Sequence, residues 1–78
     1  MTLERCFGKA VKRIRESKSI SQERLAELAQ LNRTFISQIE NGNTNPTLTT
    51  ILKLSGALGV KPAFLFKQVE DILKADEI

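Results

Sequence analysis

Arg33, Thr34, Ser37 and Gln38 are the residues best equipped for chemistry in this chain, and theirs is the chemistry of recognition rather than of bond making. The Arg33 guanidinium is a rigid fork of donors that fits two adjacent acceptors on a planar ring. Thr34 and Ser37 carry hydroxyls that donate or accept, Thr34 adds a methyl, and the Gln38 carboxamide carries both a donor and an acceptor. Catalysis is poorly supplied by comparison. The 78 residues contain no His, Tyr or Trp, so the commonest general base is missing. Neither a Gly-rich phosphate loop nor a clustered acid set replaces it. An enzyme is therefore not expected, and no cofactor or metal is implied. Cys6 is the single cysteine, which rules out an intramolecular disulfide and a cysteine-rich metal site. It is expected to serve as a small apolar residue of the first helix; a redox role would need a resolving partner that the sequence does not place nearby.

For those four side chains to act together they must share a helical surface, and their surroundings supply one. Leu25, Ala29, Leu31, Ile36 and Ile39 fall where two crossed helices must meet, with polar or charged residues between them. Ser21 is placed to cap a helix over about 22 to 29, and Asn32 to cap a second from Arg33 to Asn41. Gly42 follows, where a helix end needs a left-handed residue. Ala26, with almost no side chain, lets the second helix cross closely over the first. This is a helix-turn-helix pattern. Its second helix is suited to the DNA major groove, where Arg33 can pair with guanine O6 and N7 for roughly 1 to 3 kcal/mol of discrimination. Thr34 can meet a thymine methyl or a phosphate, and Ser37 and Gln38, a turn further on, either a base or the backbone. The bland alternative for each is an exposed polar side chain without a partner.

The elements around this pair predict an all-α fold: one compact five-helix domain spanning residues 1 to 78, with no strand. Net charge is +3, and six of the basic residues stand between Met1 and Lys18 against two acids. A first helix from Leu3 to Ser17 would turn Phe7, Ala10, Val11 and Ile14 inward and its basic face, Lys12 and Arg13 included, toward phosphates or simply toward water. Ser17 to Ser19 interrupt it, and Ile20 should pack on the following helix. In NGNTNP, Pro46 keeps Asn45 extended. Thr47 can cap a fourth helix whose Leu48, Ile51, Leu52, Leu54, Ala57 and Leu58 should mostly line the core. Gly59 supplies its stop, Val60 should point inward, and Pro62 suits the first turn of a fifth helix over about 62 to 75. There Phe64 and Leu65 are expected to complete the core, while Phe66, Val69, Ile72 and Leu73 form a self-complementary dimer patch. The alternative is a wholly intramolecular core. Disorder is expected nowhere except at Lys74 to Ile78. No apolar run approaches the roughly 20 residues that cross a bilayer, and no signal-peptide pattern opens the chain, so the cytoplasm is the expected location.

Four blocks in this order, GKAVKRIR, SQERLAELAQLNRTFISQIENG, NPTLTTILKLSGALGV and FLF, resemble the XRE-type (Cro and repressor-like) helix-turn-helix proteins over nearly everything from Phe7 to Leu65. The run NRTFISQIENGNTNPTL and the small size look most like the controller proteins of restriction-modification systems. The resemblance implies a sequence-specific transcriptional regulator that binds pseudo-palindromic operators as a homodimer, with half-sites about one helical turn apart. It would control its own gene and neighbouring restriction-modification genes. Its partners would be double-stranded DNA, a second copy of itself and RNA polymerase, with no membrane and no small-molecule ligand. Ser21 and Gln22, at a helix N-terminus, suit phosphates, and Asn41, Asn43, Thr44 and Asn45 form the far rim. The resemblance makes Gln22, Asn43 and Asn45 backbone anchors, and Arg15 and Glu40 an internal salt bridge. Phe35 would sit in the core rather than on DNA. Gln30 departs from the family, which commonly has Gly in the turn; a left-handed conformation there costs roughly 1 kcal/mol. An antitoxin, a prophage-type repressor and a protein-interaction module without DNA are the alternative functions.

Overall fold

The computed structural model describes residues 1–76, which form α1 (Leu3–Ser17), α2 (Gln22–Ala29), α3 (Arg33–Glu40), α4 (Leu48–Leu58) and α5 (Pro62–Asp76), with no strand among them. Local chemistry explains where the helices begin. Thr2, Ser21, Asn32 and Thr47 each stand in extended conformation just before a helix and accept a hydrogen bond from the backbone N–H three residues on. Each such cap contributes about 1 kcal/mol. Gly42 and Gly59 turn left-handed after α3 and α4, at φ 74 and 71°. Gln30 adopts the same conformation at φ 58° without being glycine, as does Ser19 at φ 57° after α1. At both of these ends a backbone N–H reaches five residues back, from Leu31 to the Ala26 carbonyl and from Ile20 to the Arg15 carbonyl, which closes the helix. α3 ends one residue earlier than expected: Asn41 is its C-cap, donating from its backbone to the Ser37 carbonyl.

α1 runs through the middle of the domain and packs on α3, α4 and α5, while α2 packs on α3 and α4. Cys6, Phe7, Ala10, Val11 and Ile14 form the inner face of α1 and meet Leu25, Ile36, Ile39, Leu54, Leu58 and Leu65 in one core. Gly8 makes the α1–α3 crossing close. A Cβ there would collide with the Ile39 carbonyl oxygen and lie 2.7 Å from that of Glu40, so backbone touches backbone. Only a residue without a side chain fits.

The last two helices distribute their apolar residues differently from the expectation. Leu48 and Leu52 do not line the core; they are 77% and 58% exposed, on the edge of α4 that α2 and α5 leave open. Ser55 is buried instead, donating its hydroxyl to the Leu52 carbonyl at 3.0 Å. On α5, Val69 and Ile72 are only 3% and 6% exposed and belong to the core with Leu65, so neither is available to a partner. The reason is that α5 lies along α1 for much of its length, and the spacing 65, 69, 72 is the stripe that closes on it. Phe64, expected in the core, is 47% exposed. Phe66 is 46% exposed and leans on Phe7 with ring centroids 6.4 Å apart. Leu73 and Val60 are half-buried. The helix continues through Lys74 to Asp76, whose carboxylate accepts from the Met1 amine at 2.8 Å; of the segment expected to be disordered, Glu77 and Ile78 lie outside the described residues. No single helix among the described residues is long and apolar enough to cross a membrane.

Candidate nucleic-acid interface

α3 divides cleanly into two faces. Ile36, Ile39 and Glu40 are buried, while Arg33, Thr34, Gln38 and Asn41 are exposed and Ser37 is half-exposed. At about 100° per residue, the five polar positions fall within an arc of about 140°, with Asn41 near its centre. Eight residues make a rod of about 12 Å, enough to lay this arc along a groove. Arg33 is lightly held: its Nε is 3.9 Å from Glu23 Oε1, and both side chains are mostly in water. Such a pair contributes little and leaves the guanidinium ready to exchange partners. Phe35 is half-buried against the core, as expected of a packing residue.

Glu40 fixes the helix in place. Arg15 donates from Nε to Glu40 Oε2 at 2.7 Å and from Nη2 to Oε1 at 3.0 Å, with 11% and 2% of the two side chains exposed. A third donor, Arg15 Nη1, meets the Ile20 carbonyl at 2.8 Å. The bonded Glu40 carboxylate pushes the guanidinium above its ordinary range, so Arg15 stays charged throughout. Gln22 Nε2 also donates to Glu40 Oε1, at 3.0 Å. One carboxylate therefore ties α1, α2 and α3 together.

The phosphate candidates fall into three groups. At the start of α2, the Ser21 oxygen is engaged in capping through the Arg24 amide, and Gln22 is half-buried with its amide held by Glu40. Along the loop after α3, Asn41, Asn43 and Asn45 are exposed and Thr44 is half-buried; the Asn43 backbone N–H returns to the Gln38 carbonyl at 2.9 Å. On α1, Lys12 lines a cleft with Arg5, Lys9, Glu40 and Asn41, next to the exposed face of α3. Arg13 does not join it. One residue further round the helix, it is exposed and lies in clefts shared with α5, with Lys9, Asp71 and Asp76 on one side and Phe64 on the other. Gly8, at the α1–α3 crossing, went unnoticed in the sequence, whereas Arg5 and Lys9 were counted with the basic residues of the first helix but not singled out as site residues. The spacing 5, 9, 12 would have singled them out, because it puts Arg5 and Lys9 on the stripe of Lys12. Among the described residues no three His, Cys, Asp or Glu side chains gather as a metal site.

Residues 11–65 match the helix-turn-helix family. The chain is 54% identical over 57 residues to control protein C.BamHI from Bacillus amyloliquefaciens, covering 72% of this chain and 70% of that protein. It is 40% identical over 65 residues to control protein C.MunI from a Mycoplasma species, covering 82% of this chain and 88% of that one. Its fold superposes on the crystal structure of the restriction-modification controller protein C.AhdI from Aeromonas hydrophila with a TM-score of 0.78 and 39% identity, over 80% of this chain and 94% of that one.

Proposed function

The chain belongs to the helix-turn-helix family as a DNA-binding transcriptional regulator of the restriction-modification controller type, not an enzyme, and on that premise we propose how it binds and what it controls. It acts in the cytoplasm as a homodimer on a pseudo-palindromic operator, one α3 in each of two successive major grooves. One such operator lies upstream of its own gene, and restriction-modification genes beside it are regulated with it. RNA polymerase is the machinery whose access or recruitment the bound dimer changes.

The observation that carries this reading is the exposed face of α3. Arg33, Thr34, Ser37 and Gln38 sit together on a helix locked from behind by the buried Arg15–Glu40 pair, a rigid mount for reading base edges. Lys12, Gln22, Asn43 and Asn45 hold the backbone on either side, with Ser21, Asn41 and Thr44 between them. Dimerisation is supported by what a single chain leaves uncovered. Leu48 and Leu52 stand a turn apart beside Ile51, which shares a groove with Leu3, Pro46 and Phe66. These residues form the self-complementary surface in place of the expected Phe66, Val69, Ile72 and Leu73 patch, of which exposed Phe66 remains a part.

The test is fluorescence anisotropy of labelled DNA from upstream of the gene against unrelated DNA of equal length, at two salt concentrations, beside sedimentation of the free protein. A preference of roughly 1,000-fold with a dimer in solution is the expected result. Equal, strongly salt-dependent binding to both DNAs would refute operator recognition, and a monomer on a saturated operator would refute the two-fold arrangement.

A further inference from the structure

Arg5 has no part in the reading above, yet it is firmly placed. The loop after α3 rests on its stem: a Cβ at Gly42 would lie 2.8 Å from Arg5 Cα and would overlap Arg5 Cγ. The missing side chain at Gly42 therefore does two things. It permits the left-handed turn at φ 74° that ends α3, and it lets Arg5 pass directly beneath that turn. Lys9 and Lys12 continue the line along α1, and all three cations are exposed and form no ion pair among the described residues. The cleft they line also contains Asn41, near the middle of the exposed arc of α3, so the cationic stripe and that arc are one continuous surface. The carboxylate in this cleft, Glu40, is already bonded to Arg15 and Gln22 and leaves Arg5 and Lys12 their charge, while Lys9 also lines the adjoining cleft with Asp71 and Asp76.

We infer that Arg5, backed by Gly42 and flanked by Lys9 and Lys12, forms a phosphate-binding subsite at the C-terminal end of α3. It engages the DNA backbone just outside the base pairs that Arg33 to Gln38 face. The inference rests on the DNA-binding reading and extends its footprint. A diester phosphate suits the place: Arg5 offers forked donors, the two lysines add charge, and the stripe follows a line as a backbone does.

The experiment uses Arg5→Gln, which keeps the stem under Gly42 and removes the charge. A thermal melt confirms that the variant folds. Operator binding is then measured between 50 and 250 mM salt, with Lys74→Gln, in the last turn of α5, as the control. The expected result is a salt slope reduced by about 0.9 for each Arg5–phosphate contact and an affinity reduced roughly tenfold near 150 mM, with the control unchanged. Trimming the duplex to end at the outermost base pair of each half-site should bring parent and variant to equal affinity. Arg5→Gln with the parent's slope and affinity on the untrimmed operator overturns the subsite. If Arg33→Ala still lowers specificity on that DNA, the broader reading survives; a parent protein that binds no DNA overturns both.

Discussion

Replacing Glu40 with Ala removes three hydrogen bonds at one stroke, two from Arg15 and one from Gln22. Arg15 cannot follow its partner out. Its guanidinium stays among the turns of α1 and α3, nine-tenths buried, with the Ile20 carbonyl as its one remaining acceptor. Breaking a buried pair in this way costs about 3 to 5 kcal/mol, chiefly for the stranded charge. The 11% exposure of the Arg15 side chain allows some hydration and favours the lower end, about 3 kcal/mol. In a domain of this size each kcal/mol corresponds to about 4 to 8 °C in Tm, so Glu40→Ala should melt about 12 to 24 °C below the parent. Circular dichroism at 222 nm reads the melt, and a urea titration at 10 °C checks the free energy. At that temperature the folded fraction should still distinguish operator from unrelated DNA, because the polar arc of α3 is chemically intact. A Tm within about 3 °C of the parent would refute the argument from burial, and so would loss of specificity in a protein that remains fully folded.

Gly8→Ala sets a methyl against the carbonyls of Ile39 and Glu40, which are backbone and cannot rotate away; a loss of about 2 to 3 kcal/mol in urea unfolding is expected, and a loss under 0.5 would mean that α1 lifts off α3 freely. Gln30→Gly relieves a left-handed residue at φ 58° and should raise Tm by a few degrees, worth up to about 1 kcal/mol; a lower Tm would show that the Gln30 side chain matters more than its backbone. Arg33→Ala should relax operator preference at one base step, whereas Lys12→Ala should weaken all sequences alike and flatten the salt slope; competition anisotropy over single-base operator variants separates the two, and an unchanged preference after Arg33→Ala rejects its base-reading role. The Met1 amine, by its hydrogen bond and then its charge, holds the Asp76 carboxyl below its usual range. That stabilisation is present above the ordinary carboxylate range and is lost as pH falls through the lowered folded value, so Asp76→Asn should melt slightly below the parent at pH 6 and converge with it in acid; a gap that persists at pH 2 would contradict the linkage.

What the sequence disclosed and what it withheld divide along a physical line. Helix limits depend on neighbours within a few residues, such as Ser21 capping Arg24 or Gly42 turning left-handed, and these could be read directly. The exposed face of α3 could be read as well, because a period of 3.6 separates Ile36 and Ile39 from Arg33, Thr34 and Ser37 without knowledge of what packs behind. Burial on α4 and α5 could not. Both helices have more apolar residues than a single face accepts, and which of them are covered depends on where another helix lies. Leu52 is exposed and Leu58 buried on one helix, and exposed Phe64 adjoins buried Leu65 on the next. Lys12 and Arg13 show the same limit in charge, since one step of about 100° around α1 separates the α3 side from the α5 side.

The tertiary information that periodicity lacks is concentrated around Glu40. Its carboxylate meets Arg15 of α1 and Gln22 of α2, and its backbone carbonyl lies against Gly8. The next residue, Asn41, belongs to both the α3 arc and the α1 cleft. The α2 terminus, α3 and the cationic stripe of α1 are therefore held in register through one neighbourhood rather than by separate contacts. Substitutions on the exposed arc, at Arg33 or Gln38, should change which bases are preferred at little cost in stability. Substitutions at Gly8, Arg15 or Glu40 should lower stability first, without favouring one base over another. Sequence preference can then diverge among related chains while the geometry that presents it stays fixed.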